Sequence, residues 1–76
     1  MAKVTLFYTD GCHLCEEALS LALSCINDDD IQHQDILESE ALINEFQTSI
    51  PVMKNITTGK LLYWPFTQQQ IQELVQ

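Results

Sequence analysis

Four consecutive residues, Cys12-His13-Leu14-Cys15, offer the clearest chemistry in this 76-residue chain. Two thiols three residues apart can form a dithiol/disulfide couple, contribute half of a metal site, or be unrelated small side chains. The flanks point to a helix start. Asp10-Gly11 breaks a preceding apolar run, and Glu16 and Glu17 follow, where acids suit the positive end of a helix dipole. A sulfur at position 12 then stands beside unpaired backbone N–H groups, which favour the thiolate, and the thiolate is the nucleophile. Cys15, one turn on, falls on the buried side of that helix. The spacing therefore gives an exposed attacker and a sheltered partner able to resolve a mixed disulfide.

The neighbours modify this chemistry. His13, if protonated, stabilises the thiolate further; pointing to solvent, it does little. Leu14 reads as a packing or lining residue. Asp10, Glu16 and Glu17 oppose the thiolate, which predicts a moderately reactive thiol and a reducing rather than strongly oxidising couple. For metal binding, a structural zinc site takes four ligands, usually in two pairs. The remaining candidates are His13, Cys25 and His33. Cys25 falls on the core stripe of the first helix, and His33 sits in a polar strand, so no metal ligand is assigned.

The pair needs elements to hold it. Lys3–Thr9, KVTLFYT, is β-branched and aromatic with apolar residues on both alternating sets, which suits a strand buried on two faces. From Cys12 to about Asn27 the period becomes helical, with Cys15, Ala18, Leu19, Ala22, Cys25 and Ile26 on one stripe. Asp28-Asp29-Asp30 reads as a solvated loop. Ile31–Ile36 is a short polar strand at an edge. A second helix opens at Glu38 or Ser39 and runs to about Gln47, with Leu42, Ile43 and Phe46 inward. Val52–Ile56 and Leu61–Trp64 form a hairpin around Thr57-Thr58-Gly59. Thr67 caps a last helix over Gln68–Val75, with Gln70 completing a capping box and Phe66 and Ile71 a hydrophobic staple. The order is β-α-β-α-β-β-α, a four-stranded mixed sheet flanked by helices in one domain spanning 1–76.

Composition narrows the partners. Eleven acids stand against three lysines, for a formal charge of −8. Nucleic acid and anionic membrane surfaces, which need cations on the protein, are excluded as partners. The acid content keeps a small protein soluble or faces a basic patch on a partner. No 18-residue apolar run predicts a membrane span, and the start MAKVTLFYTDGC does not read as a signal peptide, so the expected compartment is the cytoplasm. In that compartment a close cysteine pair points to redox or metal chemistry rather than to a disulfide scaffold.

With motif and element order together, the chain resembles the thioredoxin superfamily, and within it the glutaredoxin-like branch, over nearly its whole length. LFYTDGCHLCEEA resembles that branch's first strand and active-site turn, and SIPV at 49–52 its loop carrying a cis-proline. GCHLCEEA with a late WPF is similar to a group of very small bacterial glutaredoxin-like proteins. The resemblance implies a cis Ile50–Pro51 bond facing the cysteines, with the backbone of Ile50 pairing an extended substrate. There are departures. Thr9-Asp10 stand where glutaredoxins usually carry a lysine, His-Leu separates the cysteines, and Tyr63-Trp64-Pro65-Phe66-Thr67 replaces the Gly-Gly pair that helps hold glutathione. Cationic steering for glutathione is thus largely missing. Trp64 either walls the active-site groove or packs the last strand onto the last helix; Phe66 reads as packing.

The expectation is a monomeric thiol–disulfide oxidoreductase with Cys12 as attacker and Cys15 as resolving thiol. His13, Ile50, Pro51 and Trp64 are its candidate substrate contacts. Its partners are a protein or small-molecule disulfide and a thiol reductant, and no bound cofactor is required. Two rivals stay open: a redox-inactive binding module of the same fold with an acidic docking surface, and metal or iron–sulfur carriage through the same cysteines.

Overall fold

The computed structural model of the protein describes residues 2–76. Its elements are β1 (Val4–Tyr8), α1 (His13–Leu23), β2 (Ile31–Asp35), α2 (Glu40–Phe46), β3 (Val52–Asn55), β4 (Leu61–Tyr63) and α3 (Gln68–Leu74), with 3-10 turns at Asp28–Asp30 and Ile36–Glu38. The sheet order is β2-β1-β3-β4. β1 pairs parallel with β2 and antiparallel with β3, and β3 pairs antiparallel with β4. This is the β-α-β-α-β-β-α order and mixed sheet of a glutaredoxin-like fold, with the polar β2 at an edge.

β1 is buried on both faces, as its two apolar sets require. Val4 and Leu6 join Ala18 and Ala22 of α1, Met53 of β3, Phe66, and Ile71 and Leu74 of α3 in one cluster. Phe7 joins Ile36, Phe46 and Val52 in a second, on the other face. There its ring stacks on Phe46 with centroids 4.6 Å apart. The sheet is therefore a middle layer, with α1 and α3 on one side and α2 on the other, and β1 runs through the interior to deliver Asp10–Cys15 at one end.

Local chemistry sets the element ends. Thr67 Oγ1 accepts from the amide of Gln70, and Gln70 Oε1 accepts from the amide of Thr67, so the predicted capping box is present. Helix α1 ends at Leu23 rather than near Asn27. The amides of Ser24 and Cys25 donate three residues back, to Leu21 and Ala22, which tightens the last turn. Cys25 and Ile26 lie beyond the helix as half-buried side chains packed against the core. β2 stops at Asp35 instead of including Ile36, because Asp35 Oδ1 accepts from the amide of Leu37 and turns the chain.

The end of the sheet remote from Cys12 is tied by Asn55, which is only 6% exposed. Its Nδ2 donates to the carbonyl of Leu74 at 2.6 Å, and its Oδ1 accepts from Thr57 and Thr58 at 2.8 and 2.9 Å. One side chain thus fastens the hairpin turn and the last turn of α3. Near it, Ala2 and Gln76 line the same groove. Asn55→Ala leaves three backbone groups without this partner, two of them in the turn. Buried groups left unsatisfied cost about 1–3 kcal/mol, so urea unfolding should give a loss of about 2–3 kcal/mol.

Candidate active site

Cys12 is the N-cap of α1 and is joined to Cys15 by a disulfide with Cα atoms 5.2 Å apart. The amide of Cys15 donates to Cys12 Sγ at 3.1 Å, so the sulfur itself takes the capping role that Ser, Thr or Asp usually fills. The turn before it is closed by the amide of Cys12 donating to the carbonyl of Thr9 at 3.3 Å. Gly11 makes that turn possible: its φ of +80° lies in the left-handed region, which a side chain disfavours. Cys15 is 5% exposed and Cys12 is half-buried, which is the asymmetry expected from their spacing.

A cavity of about 210 Å³ opens beside the disulfide, lined by Cys12, Cys15, Tyr8, Thr9, Asp10, Gly11, Glu16, Leu6, Leu19 and His33. Its floor is the face of β1 that turns toward α1. The parallel register pairs Leu6 with His33 and Tyr8 with Asp35, which carries the edge strand into its wall. His33 Nε2 lies 3.1 Å from Asp28 Oδ1, and its ring meets Tyr8 edge-on at 6.4 Å. His33 is exposed, in keeping with its polar edge strand, and still borders the cavity. The period-two alternation Ile31, His33, Asp35, read against β1, is the signal that places it. Thr9 Oγ1 is buried with no hydrogen-bond partner among the described residues.

The other candidate residues lie elsewhere. His13 does not line the cavity. Its side chain is 84% exposed, with Nδ1 3.6 Å from Glu16 and Nε2 3.7 Å from Glu17. Exposed pairs of this kind contribute little to stability. The Ile50–Pro51 bond is cis, as the resemblance implies, and Trp64–Pro65 is a second cis bond. Pro51 immediately precedes Val52, which pairs with Phe7, so it stands at the same end of the sheet as the disulfide. Its carbonyl accepts from the amide of Trp64 at 3.3 Å, which brings these two candidates together. The amide of Ile50 already donates to the carbonyl of Phe46 at 3.1 Å. Strand-like pairing of a substrate at Ile50 would therefore rest on its carbonyl. The Trp64 ring meets Phe66 edge-on at 5.1 Å, a packing contact, and borders a groove with Glu17, Ser20, Leu21, Ser24 and Gln68 that includes neither Cys12 nor Cys15.

Cys25 is unpaired, and its thiol points to the carbonyls of Leu21 and Ala22 at 3.6 and 3.5 Å. Among the described residues no three His, Cys, Asp or Glu side chains gather into a metal-binding group. No helix among them is long and apolar enough to cross a membrane.

The sequence matches the family described as Glutaredoxin-like domain (DUF836) over residues 3–76. The chain belongs to that family. The glutaredoxin-like domain is similar to a solved structure, the X-ray structure of Northeast Structural Genomics target protein XcR50 from X. campestris. The two share 28% sequence identity over 92% of this chain and 91% of that one, with a TM-score of 0.78. No protein in the curated set matches the chain. This glutaredoxin-like domain thus carries its Cys12–Cys15 disulfide at the start of the first helix, on the turn that follows the central strand.

Proposed function

We propose that this protein is a thiol–disulfide oxidoreductase working through the Cys12–Cys15 couple. The observation that carries the reading is the unequal pair at the helix start: a half-exposed sulfur receiving a backbone N–H, bonded to a buried one. The hydrogen bond and the helix dipole favour charge on Cys12, which makes it the nucleophile. A bridge closing so short a loop contributes only about 2 kcal/mol by chain entropy, less than half of what a long loop gives. A working couple explains such a bridge better than a structural staple does.

In the cycle, the Cys12 thiolate attacks a substrate disulfide, forming a mixed disulfide and releasing one thiolate. Cys15 then attacks the Cys12 sulfur, releasing the second and leaving Cys12–Cys15 oxidised. A thiol reductant restores the dithiol, which suits a reducing compartment such as the cytoplasm. Ile50, Pro51 and Trp64 shape one side of the substrate groove, and His13 with Glu16 and Glu17 forms the rim. No bound cofactor is required for this cycle.

A redox titration tests this. The purified protein is equilibrated in graded dithiothreitol buffers, alkylated and weighed by mass spectrometry. A reversible two-electron transition confined to Cys12 and Cys15, with Cys25 reduced throughout, is the expected result, and its midpoint tells reductant from oxidant. Absence of any reversible couple would return the site to the binding or metal readings.

A further inference from the structure

The charges around the disulfide are segregated in a way that bears on which disulfide it accepts. The chain's only cations besides histidine and the amino terminus are Lys3, Lys54 and Lys60. Lys3 precedes the first residue of β1, while Cys12 follows the last. Five strand steps of about 3.3 Å separate Lys3 from Tyr8, farther than the screening length of about 8–10 Å at physiological salt. Lys54 pairs with Thr5, and it lines a groove with Thr5, Phe7 and Leu42 on the α2 face, across the sheet from the cavity. Lys60 lies in the hairpin, its carbonyl bonded to the amide of Asn55. Every lysine is therefore at the wrong end or on the wrong face to reach the disulfide. Asp10 and Glu16 line the cavity, the exposed His13 ring outside it lies 3.6 Å from Glu16 and 3.7 Å from Glu17, and His33 is held by Asp28.

From this arrangement we infer that the Cys12–Cys15 site selects disulfides carrying a cationic group close to sulfur, and that Asp10 and Glu16 set that preference. The inference rests on the redox reading above and names the substrate class for it. The cavity, at about 210 Å³, is smaller than the ~300–1,000 Å³ of pockets that enclose whole ligands. It holds one short arm of a disulfide, such as an aminoethyl group, with the ammonium beside the two carboxylates. Glutathione disulfide, which has more carboxylates than amines, meets the same charges as repulsion. Reduction is balanced as before: the protein dithiol gives two electrons and two protons to RS–SR, yielding two RSH and the Cys12–Cys15 disulfide, and an added dithiol resets it.

The test is single-turnover oxidation of the reduced protein by cystamine, hydroxyethyl disulfide and oxidised glutathione, read by quenching and alkylation. Each rate is divided by that of free dithiothreitol with the same disulfide, which removes intrinsic reactivity. The normalised rate should favour cystamine over oxidised glutathione by about tenfold or more at low salt, and the gap should close in high salt. The double variant Asp10→Asn, Glu16→Gln should lower the cystamine preference, while Glu73→Gln, in α3, should leave it unchanged. A cystine peptide flanked by lysines separates the sources: a faster normalised rate than cystamine assigns the site to basic protein segments, and a slower one to free aminothiols. Equal normalised rates for all three small disulfides, or a preference indifferent to salt and to the acid pair, overturns the inference while leaving the redox function standing. No reaction with any of them sinks both.

Discussion

Replacing Cys12 by serine should abolish disulfide reduction, and replacing Cys15 by serine should yield a protein that accumulates mixed disulfides. The two outcomes differ because the sulfurs occupy different places. Cys12, the half-exposed N-cap, receives the Cys15 amide at 3.1 Å and is the sulfur a substrate can reach. A serine there preserves the cap and the fold but supplies a hydroxyl that is scarcely ionised at neutral pH. Exchange should fall to the rate of the uncatalysed mixture. Cys15, 5% exposed, cannot meet a bulky disulfide, yet it is one turn from Cys12 and positioned to attack the Cys12 sulfur of the mixed disulfide and displace the second thiolate. With serine at 15, the mixed disulfide at Cys12 waits for an external thiol. Mass spectrometry of the Cys15→Ser protein after exposure to a disulfide should show a single adduct at Cys12. The same experiment on Cys25→Ser should match the unaltered protein, since that thiol faces backbone carbonyls of its own helix turn. If neither Cys12→Ser nor Cys15→Ser changes turnover, the pair is not the catalyst.

The largest stability effect should come from Phe46→Ala. Phe46 is the buried residue of α2, 3% exposed, stacked on Phe7 and packed with Ile36 and Val52. The helix has seven residues, too few to persist without its packed face. Truncating a buried phenylalanine costs about 3–5 kcal/mol through lost transfer energy and the cavity left behind. At about 0.05–0.15 kcal/mol per residue, a chain of this length has roughly 4–11 kcal/mol in total. The variant should therefore lose about a quarter or more of its stability. The urea midpoint should fall with little change in slope. Phe46→Leu, which keeps most of the volume, should lose much less. Because the Phe46 carbonyl also accepts the amides of Ser49 and Ile50, at 2.8 and 3.1 Å, loosening α2 should also weaken the support of the Ile50–Pro51 segment.

The parts of this molecule that follow a strong local rule were legible in its sequence. β1 shows apolar residues on both alternating sets and is buried on both faces. Thr67 and Gln70 form the capping box that their spacing announces, and Cys12 and Cys15 take the exposed and buried places of a helix start. What was not legible depends on competition or on long-range register. The end of α1 is set by a tightened turn at Ser24 and Cys25, although the helical stripe continues in sequence through Ile26. β2 is cut short by one aspartate side chain. His33 joins the cavity only because β2 lies parallel to β1 in a register that pairs it with Leu6. The Trp64–Pro65 isomer was not read from the sequence, because trans is the commoner state of any X–Pro bond.

The groove shared by Ala2 and Gln76 has a practical corollary. The two described ends of the chain are neighbours, at the far end of the sheet from Cys12. A short flexible linker could join them, and new ends could be opened in the exposed Thr57-Thr58-Gly59 turn, to give a circularly permuted protein with its disulfide untouched. For the same reason, a chain tethered to a surface by either end would present its disulfide outward, toward whatever flows past.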